Sequence, residues 1–131
     1  MPNVTEKCGV FGVYGKGLDV SRLSFFGLFA LQHRGQESSG ISTSDGTTIQ
    51  TFKGTGLVTH VYSEEEITKL SGHMAIGHNR YATSKNTGLL HAQPVEMMQG
   101  HNGSAKTFLT LAHNGNLPSV TALVRFLEEK G

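Results

Sequence analysis

Three polar clusters in this chain hold the side chains best suited to chemistry, and each borders an apolar run. Cys8 opens Cys8-Gly-Val-Phe-Gly-Val-Tyr14, His78-Asn79-Arg80-Tyr81 follows Met74-Ala-Ile-Gly77, and His113-Asn114-Gly115-Asn116 follows Phe108-Leu-Thr-Leu-Ala112. A lone cysteine in an apolar strand is ordinarily core. Cys8, however, stands at the start of its run, beside a glycine with no side chain to block access, and behind a polar leader over residues 1–7. With that leader removed, one residue carries both a thiol and an α-amine. The amine titrates near ~7.7–8.0 and can take a proton around neutrality. Nucleophile and base then share one residue, the N-terminal-nucleophile arrangement.

Acyl transfer also needs donors for the oxyanion. Asn114-Gly115 offers an amide side chain next to a backbone N–H that glycine leaves open. Removing one such donor typically costs ~3 kcal/mol of transition-state stabilisation. Taken alone, Asn-Gly is a tight turn, and a turn can also aim N–H groups into a site. Arg80, just past an apolar strand, has the planar fork that suits a carboxylate such as the α-carboxylate of an amino acid, although most single arginines make surface ion pairs. The seven histidines (His33, His60, His73, His78, His91, His101 and His113) fall in no compact ligand spacing and have no cysteine near them, so no metal site is expected. Gly54-Thr-Gly56 lacks the lysine and hydroxyl of a phosphate loop.

The elements that must position these groups follow from patterning. Residues 8–14 read as a short strand, and residues 21–33 space their apolar side chains as a helix with one broad buried face. Arg34-Gly35-Gln36-Glu37 stops that helix. Residues 40–43 and 48–52 read as paired strands joined through Asp45-Gly46. Ser63-Glu-Glu-Glu66 starts a short helix with acidic residues at its positive end. Residues 74–77 and 108–112 read as interior strands, residues 84–93 as a loop. Leu117-Pro118 opens a last helix whose face is Val120, Leu123, Val124 and Leu127. The pattern is α and β with mostly antiparallel strands, without repeats or linkers, and the polar clusters are expected to meet at neighbouring strand ends.

At 131 residues the chain is of one-domain length. A formal charge of +1 with scattered basic residues gives no footprint for nucleic acid or an anionic membrane. One cysteine excludes an internal disulfide, and no run is long and apolar enough to span a bilayer or act as a signal peptide, so a cytoplasmic protein is expected.

In their order, these clusters resemble the glutaminase domains of the amidophosphoribosyltransferases, within the class-II glutamine amidotransferases. The residues carrying the resemblance are Cys8-Gly-Val-Phe-Gly12, Leu31-Gln-His-Arg-Gly-Gln-Glu37 with Ser39-Gly40-Ile41, Gly77-His-Asn-Arg-Tyr-Ala-Thr83, Gln93-Pro94 and Ala112-His-Asn-Gly-Asn-Leu117. The Leu31 and Gly77 blocks are the most specific. Glucosamine-6-phosphate synthase and asparagine synthetase share the initial cysteine but read differently in the Leu31 block.

The resemblance implies an α+β fold, a four-layer αββα sandwich of the N-terminal-nucleophile hydrolase type, incomplete at the C-terminus. It implies hydrolysis of the glutamine amide to supply ammonia to phosphoribosylpyrophosphate, in the first committed step of purine biosynthesis. By position, Cys8 is the nucleophile after removal of residues 1–7, Asn114 and Gly115 hold the oxyanion, and Arg80 binds the α-carboxylate with Thr83 nearby. Arg34 buttresses the nucleophile's strand. Two departures stand out: Ser84-Lys85-Asn86 replaces a small residue and glycine in the glutamine-covering loop, and the chain ends before the family's Ser-Ser-Asp segment, whose aspartate binds the substrate ammonium. Neither Glu37 nor Asp45 is assigned to that ammonium.

No cofactor is expected in this chain; Mg2+ belongs to the phosphoribosyltransferase domain, which the chain lacks. The implied partners are glutamine, that C-terminal domain or a partner chain, and further copies of the full-length enzyme as a homo-oligomer. The alternatives are a catalytically silent fragment that binds glutamine or a partner subunit, and an N-terminal-nucleophile amide hydrolase acting on other substrates.

Overall fold

The computed structural model describes residues 8–35, 37–81, 88–100, 103–115 and 119–131. The leader over residues 1–7, Thr83, Ser84-Lys85-Asn86 and the Leu117-Pro118 helix start lie outside them.

A four-stranded antiparallel sheet forms the centre. Its strands β1 (Gly9–Tyr14), β2 (Ser38–Ser44), β3 (Ile49–Thr55) and β4 (Met74–Arg80) are ordered β1-β4-β2-β3. The β2–β3 hairpin turns at Asp45-Gly46, as expected. Asp45 Oδ1 accepts the backbone N–H groups of Thr47 and Thr48 at 2.8 and 2.7 Å, and Gly46 takes φ +92°, which a side chain would resist. These bonds hold the Asp45 carboxyl well below the usual carboxylate range. They also commit Asp45 to the turn.

Strand alternation divides the sheet into two faces. Phe11, Gly77 and Ile41 fall in one register row, and that face packs on helix α1 (Val20–Ala30). Leu28 of α1 and Ile41 are fully buried, and the core extends through Val58, Val61, Tyr62, Ile67 and Leu70. Asp19 caps α1 by accepting the Arg22 N–H at 3.0 Å. Two short helices, α2 (Val58–Val61) and α3 (Glu64–Lys69), complete this layer. A capping box between Ser63 and Glu66 fixes the start of α3 where the sequence placed it.

The other face carries Val10, His78, Gly40 and Lys53 in one row. A two-stranded antiparallel sheet of β5 (Val95–Gln99) and β6 (Lys106–Leu111) packs over it. The approach is very close at Gly40, where an added Cβ would sit 2.0 Å from the Gln93 carbonyl oxygen. Lys53 ties the layers together, donating to the Pro94 carbonyl at 3.1 Å and pairing with Glu96 at 3.1 Å. Helix α4 (Thr121–Lys130) follows.

Several elements differ from their sequence pattern. The cluster His78-Asn79-Arg80 belongs to β4 instead of following it, because partners in other elements let these polar groups stay in a buried strand. The strand at residues 108–112 reads from its sequence as interior. Instead Phe108, Leu109 and Leu111 are exposed, since β6 pairs only with β5 among the described residues. The expected face of the last helix, Val120, Leu123, Val124 and Leu127, is likewise exposed. Within the expected loop, Leu89–His91 forms one 3-10 turn.

The Gly40 contact yields a test. Gly40→Ala must push the layers apart and should lower stability by about 1–3 kcal/mol, read from denaturant unfolding. Gly12→Ala, whose Cβ meets only the Ala75 oxygen at 3.9 Å, should stay within about 0.5 kcal/mol of the parent.

Candidate active site

The antiparallel pairing brings the candidate residues towards one end of the central sheet. Gly9 at the start of β1 stands opposite Asn79 near the end of β4, and Arg80 at that end stands opposite Ser38 at the start of β2. Cys8, just outside β1, is half-buried.

The turn after α1 is built around Cys8. Residues 32–34 form a 3-10 turn, and Arg34 Nε donates to the Cys8 carbonyl at 2.9 Å. Gln32 fixes this turn from both sides: its amide nitrogen donates to the Gly35 carbonyl, and its oxygen accepts the Val58 N–H at 2.6 Å. Gly35 has no room for a side chain, since an added Cβ would lie 2.8 Å from the Asn79 carbonyl group. Asn79 donates its amide to the Leu28 carbonyl at 2.7 Å, joining the end of α1 to β4. The Leu31 block is therefore a joint holding the start of β1 against the end of β4.

Arg80 faces Glu37. The Glu37 N–H donates to the Arg80 carbonyl at 3.0 Å, while the side chains stand 3.8 Å apart, Nε to Oε2. That is an ion pair without a hydrogen bond. Arg80 Nη1 and both Glu37 carboxylate oxygens are buried without hydrogen-bond partners. The two side chains thus compensate one another's charge without sharing a hydrogen bond. Sequence reasoning leaves Glu37 without a role because its pairing with Arg80 depends on the β2–β4 register.

His78, fully buried at the layer interface, is in the sequence only one of seven histidines. Its Nε2 lies 3.1 Å from the His113 carbonyl oxygen, which can only accept, so Nε2 carries the proton. Residues 113–115 are thereby tied to β4 one position from the row that holds Gly9. Asn114 and Gly115 are exposed where they follow β6. Gln93 reaches the same segment, its side-chain oxygen accepting the His113 N–H at 2.8 Å. The sequence marks Gln93-Pro94 without assigning it a role; the close contact of the Gln93 carbonyl with Gly40 explains its placement. Among the described residues no group of three or more histidine, cysteine or acidic side chains could hold a metal ion, and no helix is long and apolar enough to cross a membrane.

A strand opened by a cysteine, layered between helices and a second antiparallel sheet, defines an α+β fold of the N-terminal-nucleophile hydrolase type. Over nearly its whole length the chain is similar to the N-terminal part of amidophosphoribosyltransferases. It is 46% identical over 126 residues to amidophosphoribosyltransferase of Mycobacterium tuberculosis, which covers 96% of this chain and 23% of that protein. The enzyme of the same name from Bacillus subtilis is 44% identical over 128 residues, 98% of this chain and 26% of the relative. A solved structure described as the allosteric regulatory enzyme of purine biosynthesis superposes with a TM-score of 0.78 at 42% identity, over 93% of this chain and 25% of that one. A glutamine phosphoribosylpyrophosphate amidotransferase from Bacillus subtilis, solved with ADP and GMP, gives 0.72 at 41% identity, with the same coverage. No protein-family model matches. The chain spans about a quarter of the length of the relatives it matches, at their N-terminal part.

The buried imidazole makes a pH prediction. Burial pushes His78 down to about 4; the bond to His113 opposes the shift, and the charges of His113 and Arg80 add to it. In the unfolded chain it titrates near ~6.5. Its contribution to stability is therefore present above ~6.5 and is lost as pH falls through about 4, because the unfolded chain takes up the proton first. Denaturant midpoints should fall over this window in the parent and fall less steeply in His78→Gln; parallel curves would contradict the assignment.

Proposed function

We propose that this chain is a glutaminase domain that releases ammonia from the side-chain amide of glutamine for transfer to phosphoribosylpyrophosphate in the first committed step of purine biosynthesis. The observation that carries the reading is the joint around Cys8: the Leu31 block holds the start of β1 by an Arg34 bond to the Cys8 carbonyl, beside the β4 end that bears Arg80. The name of a solved relative at 41% identity, glutamine phosphoribosylpyrophosphate amidotransferase, supports the substrate.

In the proposed reaction residues 1–7 are first removed, exposing the Cys8 amine. Cys8 Sγ attacks the amide carbon and its amine accepts the thiol proton. Asn114 and the Gly115 N–H stabilise the oxyanion, and ammonia leaves carrying the relayed proton. Water then hydrolyses the γ-glutamyl thioester to glutamate. Arg80 binds the α-carboxylate through its planar fork of donors, and Thr83 assists. Arg34 acts by positioning Cys8.

The glutaminase step uses no cofactor on this reading. Mg2+ serves the phosphoribosyl chemistry, which lies in sequence outside this chain, in a C-terminal domain or partner chain. A cytoplasmic, homo-oligomeric full-length enzyme completes the proposal.

Glutamate release from glutamine by the chain beginning at Cys8 tests it. Cys8→Ala should lower release by at least about 1,000-fold, as loss of a nucleophile does elsewhere. Arg80→Met should raise KM for glutamine by roughly tenfold or more through the lost charge-assisted bond. Release that persists in Cys8→Ala would refute the mechanism, and no release from folded, leader-free parent protein would favour a chain that binds glutamine without cleaving it.

A further inference from the structure

The segment assigned to the oxyanion is exposed, yet oxyanion donors must be held about 2.7–3.1 Å from the developing charge. Something other than burial must therefore fix it. Both backbone polar groups of His113, the residue just before Asn114, are held by side chains from elsewhere in the fold. Its carbonyl accepts from His78 Nε2 at 3.1 Å, and its N–H donates to Gln93 Oε1 at 2.8 Å.

The two anchors stand on rigid supports. His78 is fully buried in β4, the strand paired on both sides in the central sheet. Gln93 has its own carbonyl pressed on Gly40 and is followed by buried Pro94, whose carbonyl accepts from Lys53. The geometry points to His78 and Gln93 as positioning residues that grip His113 from both sides and so hold Asn114 and Gly115 in register for oxyanion stabilisation. This inference rests on the oxyanion role proposed above for those two residues. It also gives the Gln93-Pro94 pair a purpose, because the tight Gly40 contact sets where the Gln93 side chain can reach.

Two reactions of Cys8 separate this role from a general structural one. With an activated aryl γ-ester of glutamate, the thiolate adds to the carbonyl carbon, the carbonyl electron pair becomes an oxyanion, and collapse forms the thioester while phenolate leaves. With iodoacetamide, the thiolate displaces iodide at a saturated carbon and no oxyanion forms. In the chain beginning at Cys8, Gln93→Leu should slow acylation by at least about tenfold, as expected for a displaced oxyanion donor, and leave alkylation within about twofold. Gln93→Glu, which keeps an accepting oxygen, should recover most of the acylation rate. Amide exchange at the His113 N–H, read by NMR, should quicken in Gln93→Leu and return towards the parent in Gln93→Glu.

Acylation within about twofold of the parent in Gln93→Leu, or acylation and alkylation falling together, would overturn the inference. Unchanged exchange at His113 would overturn it as well. If Asn114→Ala also leaves acylation unchanged, the oxyanion assignment itself fails; if only Asn114→Ala slows it, that assignment stands and the role of Gln93 does not.

Discussion

Everything in this structure depends on β4 pairing with β1 on one side and β2 on the other. The row Gly9–Asn79–Ser39 brings the start of β1, the end of β4 and the start of β2 together. A one-residue slip would turn His78 towards α1 and Asn79 towards the second sheet. His78 would lose the His113 carbonyl and Asn79 the Leu28 carbonyl, leaving two buried polar side chains without these partners. Apolar packing and polar satisfaction thus demand the same register, and that register places Cys8, Arg80 and residues 113–115 in one region.

Close contacts set the spacing of the layers. Gly35 lets the turn after α1 reach the end of β4, Gly77 lets Leu28 sit on the sheet, and Gly40 lets the second sheet approach. At each position an added Cβ would lie within 3.0 Å of a neighbour. The small residues in the family motifs therefore reflect backbone proximity, whereas Gln32, Arg34, Asn79, His78 and Gln93 supply the hydrogen bonds that hold those approaches together. Charge is handled differently at Arg80 and Glu37, which compensate one another without sharing a hydrogen bond.

What was legible in the sequence was local. The hairpin declared itself through Asp45-Gly46, α3 through the acidic run Glu64-Glu65-Glu66 after Ser63, and α1 through its apolar spacing, because each signal lies within a few residues. Strand β5, Val-Glu-Met-Met-Gln, has little β-branching or alternation and a bulge between Met97 and Met98, so nothing local announced it. Helix α2 is only four residues long and is shaped by the Gln32 bond from 26 positions away. The roles of His78 and Gln93 were hidden for the same reason: their common partner, His113, lies 35 and 20 residues away. Arg34 was reached through the resemblance; its bond to the Cys8 carbonyl joins residues 26 positions apart and has no local signal.

The central claim is that Cys8 attacks glutamine once it is the first residue. Intact-mass measurement after rapid acid quenching, on the chain beginning at Cys8 and on the chain keeping residues 1–7, tests this most directly. A glutamyl adduct on Cys8, with ammonia lost, should form in the leader-free chain on mixing with glutamine, together with glutamate release. The chain with the leader should show neither. An adduct elsewhere, or equal turnover with the leader in place, would contradict the claim.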